Sequence, residues 1–366
     1  MFAGMRKLPG ALALATLLIA AAPAAEVVVR SAPELSRAAR EAQPGDRILV
    51  APGVYPGVVI SAQGIRAAPV LITALDPAAP PVFSGMIYAP GCSWVTFRRL
   101  LIRIGGESIV NGINADDAAS GIPAKGLSFE QIGFAVEQGN GLKLAGVDEF
   151  SILECTFTSW SQTGLDLVGC HRGVIEGCRF ETGQPVYHGI QIKGGSSDIL
   201  VRGCRFDGPA ERWINIGGGT DPDLFRPRDA PYEAARIRVE DNSIFGGRAA
   251  IAFDAAVDSA ARMNLISDQR QFVFRILNST RSRAGFQGCR NGVIERNLVS
   301  YRSDRIESVF NLGYGADWRS FRLAGNVWRD ILGLRIPRFR GWLRWFLPSL
   351  WDLPSPEFDS DPAPSP

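Results

Sequence analysis

The chain has 366 residues, 46% of them hydrophobic, and a formal net charge of only +2. That is enough apolar material for a sizeable core. It is too little charge to grip a polyanion by bulk electrostatics alone, so nucleic acid is not an expected partner.

In chain order, the first element is an export signal over residues 1–24. Arg6 and Lys7 precede the apolar run "LPGALALATLLIAAA", and Ala22-Pro23-Ala24 supplies the small residues of a cleavage site. The run is short for a membrane span. The expected location is therefore periplasmic or secreted, with no transmembrane segment after signal removal. Six cysteines are compatible with export, but their pairing stays open, and no CxxC pair suggests a thiolate metal site.

The stretch 31–57, "SAPELSRAAREAQPGDRILVAPGVYPG", opens the mature domain. Ser31 can cap a short helix with Leu35, Ala38 and Ala39 on its apolar face. "PGD" then turns into the strand "RILVAPG". A helix placed here would cover the open end of a solenoid.

A repeat follows. An apolar residue is followed three positions on by Cys, Asn or Ile, and two further on by a large apolar residue. It occurs at Phe129/Ile132/Phe134, Ile152/Cys155/Phe157, Ile175/Cys178/Phe180 and Val201/Cys204/Phe206. It continues at Val239/Asn242/Ile244, Ile294/Asn297/Val299 and Leu323/Asn326/Trp328, with a degenerate copy around Asn264 and Ile266. The first spacings between middle positions are 23, 23 and 26 residues. A second strand follows most copies, as in "GLKLAG", "GLDLVG", "GIQIKGG" and "INIGGG". Strands this short cannot each bury a face alone, whereas stacked coils share one core. The predicted fold is all-β, a right-handed parallel β-helix over residues 25–334, with an N-terminal capping helix. Stacking predicts one internal column of Cys155, Cys178 and Cys204, continued by Asn242, Asn297 and Asn326. Its expected role is structural: packed thiols and a ladder of amides.

The motifs "ELSRAAREAQPGDRILVAPGVY" and "PVLITALDPAAPPVFSG" resemble the start of exported β-helix polysaccharide lyases of the chondroitinase B and alginate lyase family. The resemblance is good over residues 31–85 and looser to about 330. It implies a polysaccharide lyase activity and places Lys193, in "IQIKGGSSDILVRGCRF", at the family's catalytic lysine. It also implies calcium, but Val186 and His188 stand where the family has acidic ligands. Gly217 stands where the family has an arginine one coil later. The metal and cofactor requirement is therefore left unknown.

Aligning the second strands predicts an outer column of Lys143, Asp166, Gln191, Asn215, Ala252, Arg275 and Asn311. Before it lie Asn140, Thr163, His188, Arg212 and Ala249; after it, Ala145, Val168, Lys193, Gly217, Asp254 and Leu277. His188, Lys193 and Arg212 are the candidate catalytic residues. Lys143, Asp166, Gln191, Asn215, Asp254 and Arg275 are the candidate substrate contacts. The expected partner is an acidic polysaccharide. Eliminative cleavage of a uronate polymer needs a cation for the carboxylate, a base and an acid. Arg212 or Arg275 suits the carboxylate. Lys193 is one candidate base; His188 is a candidate acid or alternative base near neutrality. Asp166 nearby would pair with Lys193, which favours His188. Hydrolysis needs carboxylates about 5–9.5 Å apart. Asp166 and Asp254 lie three coils apart, about 14 Å, so Asp221 or Asp223 would have to reach in. A third reading is a non-catalytic glycan-binding or scaffold protein.

The insertions 218–236 and 278–290 are expected to wall this face. In the tail, 335–366, Trp342, Trp345, Phe346 and Trp351 interleave with Arg338, Arg340 and Arg344. It reads as a cap over the last coil with a disordered end, and its Trp/Arg stretch suits peripheral membrane contact. The expected state is a monomer.

Overall fold

The computed structural model describes residues 24–120, 122–279, 285–332 and the backbone of 339–341. The expected signal, apart from Ala24, and nearly all of the tail lie outside the described residues.

The chain winds in rungs that each feed three parallel sheets. One rung runs Ser151–Leu153, Thr156–Ser159 and Thr163–Val168. The next runs His171–Glu176, Arg179–Glu181 and Val186–Lys193. Successive rungs land residue on residue: Ile152 on Ile175, Phe157 on Phe180, Leu165 on Ile190. This register follows from alternation, since every inward apolar side chain needs the one above and below it to leave water.

The interior bears this out. Phe134, Phe157, Phe180 and Phe206 form one stack with ring centroids 4.7, 4.4 and 4.9 Å apart. Cys155, Cys178 and Cys204 are buried in one column, and all three are free thiols. Asn242 continues it by accepting from the Cys204 amide at 2.9 Å. Asn264, Asn297 and Asn326 carry on the ladder, each side-chain oxygen accepting from the amide below. The residue before each column member has left-handed backbone, at Glu154, Gly177, Gly203, Asp241, Met263, Arg296 and Gly325. The ladder amides hydrogen-bond carbonyls around that sharp bend, such as Val201 and Val239, and so hold it where side chains disfavour it.

The helix Ala32–Glu41 covers the N-terminal end. Ser31 caps it, its hydroxyl oxygen accepting from the Glu34 amide, and Ala32, Leu35 and Ala39 are buried. A strand the sequence reading passed over, Glu26–Val29, precedes the helix and pairs with Arg47–Val50. At the other end Phe339–Gly341 adds a strand to the third sheet beside Ser308–Leu312.

The insertion 218–236 is not a loose loop. Phe225 is buried, and Ala234–Ala235 pairs with Ser196–Ser197. Arg226 reaches Asp117 at 3.1 Å. The fully buried Glu233 accepts from the Gly194 and Thr220 amides, each at 2.9 Å. Phe286 packs edge-on against Phe225, while residues 280–284 of the second insertion lie outside the described residues.

Candidate functional site

The third sheet carries the predicted face, with the expected register. Lys143 lies on Asp166, Asp166 on Gln191, Gln191 on Asn215, Asn215 on Ala252 and Ala252 on Arg275. Asn114 and Tyr88 extend the column before Lys143. One column earlier, His188 lies between Thr163 and Arg212.

His188 and Lys193 are not neighbours in space through the backbone. They stand toward opposite ends of the strand Val186–Lys193, although the Lys193 charge still acts on the imidazole. Two clusters result. In the first, Asp166 receives Lys143 at 3.2 Å and Lys193 at 3.8 Å, and Lys193 donates to Gln191 at 3.3 Å. Asp166 is buried beneath these two ammonium groups, as anticipated for Lys193.

The second cluster centres on Arg212. Its Nη1 donates to Asn215 at 3.0 Å and lies 3.5 Å from Asp254. Among the described residues, its buried Nε has no hydrogen-bond partner. Asp254 also accepts from the Ser279 amide and hydroxyl at 2.7 and 2.8 Å. Asn215 donates onward to the Gly217 carbonyl at 3.0 Å. Asn215 and Asp254 are each only 1% exposed. In the free protein these two expected substrate contacts lie under Arg212 and hold it in place. Arg275 donates to Asn311 at 3.1 Å, and burial, then the charge of Arg212, pushes its pKa down to about 10. It remains a cation at neutral pH.

His188 sits where the alternation breaks. His188, Gly189 and Ile190 are all buried, so the in-out alternation is lost here, and His188 lines a groove instead of joining the apolar core. Gly189 is required there, since a Cβ would lie 2.9 Å from the Trp213 ring. Among the described residues, no side chain or backbone group bonds either imidazole nitrogen. Burial first, then the charges of Arg212 and Lys193, push its pKa down to about 3. His188 is thus neutral near pH 7, the form that the base among its two expected roles requires.

This groove, of about 920 Å³, has His188 and Arg212 in its lining. It follows the turn before the third sheet from Ser161 to Glu307. That is six rungs, or about 24 Å at strand spacing. The insertion 218–236 contributes nothing to it, because it packs at the far ends of the strands, beside Gly194. The groove's Tyr187, Glu211, Arg248 and Gln271 were missed from the sequence. Tyr187 was the readable signal: an aromatic side chain next to a histidine at a strand start, 64% exposed.

The calcium that the resemblance implies does not fit these residues. Val186 offers no donor, and His188 faces two cations that would repel a third. Among the described residues, no group of three His, Cys, Asp or Glu side chains could hold a metal ion. Gly217 has a physical reason too: a Cβ there would lie 1.8 Å from the Asp254 carbonyl oxygen, so no arginine fits.

A family model described as a right handed beta helix region matches residues 101–224. The fold is a right-handed parallel β-helix. No curated protein matches the chain in sequence. Among solved structures, a polysaccharide lyase of the PL6 family from Pseudopedobacter saltans is similar at 14% identity. It covers 86% of this chain and 91% of its own, with a TM-score of 0.51. An alginate lyase of the same family is 13% identical over 87% of this chain, with a TM-score of 0.53. This chain spans about half of that enzyme's length, 53%. A GH136 lacto-N-biosidase from Eubacterium ramulus is 11% identical over 82% of this chain and 64% of its own, with a TM-score of 0.53. These likenesses establish the shared β-helix. A lyase and a biosidase on one scaffold show that chemistry is set by the site.

Proposed function

We propose that this protein binds an acidic polysaccharide along the third sheet and cleaves it by β-elimination at His188 and Arg212. The observation that carries this reading is the pairing, on adjacent rungs, of a half-buried arginine and a neutral imidazole, where among the described residues the arginine Nε and both ring nitrogens have no hydrogen-bond partner. Arg212 neutralises the uronate carboxylate, which acidifies the neighbouring C–H. His188 takes that proton. The electron pair forms the ring double bond, the C–O bond to the leaving sugar breaks, and the departing oxygen takes a proton from water. Binding brings a negative charge between His188 and its two cations, so His188 becomes more basic in the complex. Lys143 and Lys193 share Asp166 and do not line the groove. The reading carries the expectation that the protein is exported to where such polymers are met.

Hydrolysis is less well supported. Asp254 is committed to Arg212 and Ser279, and Asp166 to two lysines. Asp221 accepts from the Asp223 amide, and Asp223 lies 3.4 Å from Arg228 within the same loop. A non-catalytic binder is the second reading, favoured by the weak basicity of His188 in the free protein.

The test is incubation with a panel of uronate polymers while following ultraviolet absorbance of the unsaturated product. Absorbance that disappears in His188→Ala and Arg212→Gln supports elimination. New reducing ends without absorbance overturn it in favour of hydrolysis. Retained affinity without any product favours the binder.

A further inference from the structure

The groove continues well beyond His188 and Arg212, and its far wall has a different chemistry. Arg248 donates to Glu211 at 2.8 Å and also to the Gln271 side chain. Gln271 donates in turn to Glu307 at 2.6 Å. A chain of contacts therefore runs Glu211–Arg248–Gln271–Glu307 along the wall, and the charge of Arg248 is already compensated. Among the described residues, three arginines and two glutamates line the groove, a surplus of one positive charge over its length. At the opposite end stands Tyr187, an uncharged exposed ring set edge-on to His188 at 5.6 Å. Such a ring suits the apolar face of a sugar.

We propose that the groove selects an acidic heteropolysaccharide, in which the uronate at Arg212 is flanked by uncharged sugars, over a homopolyuronate. This rests on the acidic-glycan reading above and narrows it. A homopolyuronate brings a carboxylate with every sugar. Laid along six rungs, it presents several negative charges to a groove with one spare positive charge. It also places one of them against Glu211 or Glu307. Like charges brought together on a docking surface act against that ligand. An uncharged sugar finds hydroxyl partners in Gln271 and the two glutamates instead, and a stacking face in Tyr187.

The experiment uses the full chain and two polymers at one low ionic strength: polygalacturonate, and an unsulfated polymer of alternating uronate and N-acetylhexosamine. Calorimetry is expected to show the alternating polymer bound about tenfold or more tighter. Glu211→Gln and Glu307→Gln should each raise affinity for polygalacturonate several-fold and narrow the preference, with thermal unfolding confirming the fold. Equal or tighter binding of polygalacturonate by the unmodified protein overturns the inference alone. So does a preference left unchanged in both variants. Binding of neither polymer overturns the acidic-glycan reading itself.

Discussion

The outer faces of the first and third sheets are built on the same rungs yet treat charge in opposite ways. On the first sheet a column reads Arg98, Glu130, Leu153, Glu176, Arg202, Glu240, Arg262, Glu295. Opposite signs meet on neighbouring rungs: Arg98 with Glu130 at 2.6 Å, Arg202 with Glu176 at 2.8 Å, Arg262 with Glu295 at 2.7 Å. These pairs are partly exposed and shape the edge of a strand ladder. On the third sheet the charges are gathered instead. Two lysines share Asp166, while Arg212 leans over Asp254 and crowds His188, its Nε unpaired among the described residues. A regular ladder is what stacking alone favours. Departure from it, in a groove, marks a place where a ligand completes the charge balance.

The sharpest way to break this comparison is to remove Arg212. Arg212→Gln stays polar on a shorter side chain but loses the charge proposed to meet a uronate. Turnover should fall about a hundredfold to a thousandfold, the range for deleting one preorganised electrostatic donor. Polymer affinity should fall with it. The fold should persist, because Asn215 and Asp254 keep Gly217 and Ser279 as partners. Steady-state kinetics with a thermal unfolding control decide the matter. A variant that retains full turnover would leave the third sheet no more functional than the first.

Much of this contrast was legible in the sequence, for a physical reason. Stacking converts a repeat of about 23 residues into columns, so aligning "GLDLVG" with "GIQIKGG" already puts Asp166 on Gln191. The Asn ladder was readable in the same way, down to its degenerate member at Asn264. What was not legible arises between rungs. Asn215 and Asp254 have the right parity for an outer face, but Arg212 on the adjacent column lies over them. His188 has the parity of Ile190 and Ile192. Only the break in alternation at Gly189, packed against the Trp213 ring, leaves it lining the groove. The groove itself has a depth that periodicity does not encode.

A second effect separates the two faces through pH. The pKa of His188 is held near 3 in the folded chain, against about 6.5 when unfolded. The unfolded state then binds more protons between these values, so the contribution of neutral His188 is complete above pH 6.5 and is lost as pH falls toward 3. The full loss is on the order of 5 kcal/mol. His171, lowered by burial, acts in the same direction, so the unmodified chain serves as reference. Urea midpoints from pH 7 to pH 4 should fall less steeply in His188→Gln. Saturating acidic polymer should also flatten the slope of the unmodified protein, since an anion relieves the repulsion from Arg212 and Lys193. Identical slopes in protein and variant would mean that His188 is not the buried neutral group the groove requires.

The smallest effect belongs to the first sheet. Arg202 and Glu176 have side chains 46% and 43% exposed. Water screens such a pair, so Arg202→Gln should change stability by less than about 1 kcal/mol. It should leave polymer affinity where it was, because the residue faces away from the groove. Urea unfolding and calorimetry on this variant set the background against which Arg212→Gln is judged. Loss of polymer binding in Arg202→Gln would move the glycan to the regular charge ladder, and the gathered charges of the third sheet would then be a consequence of packing.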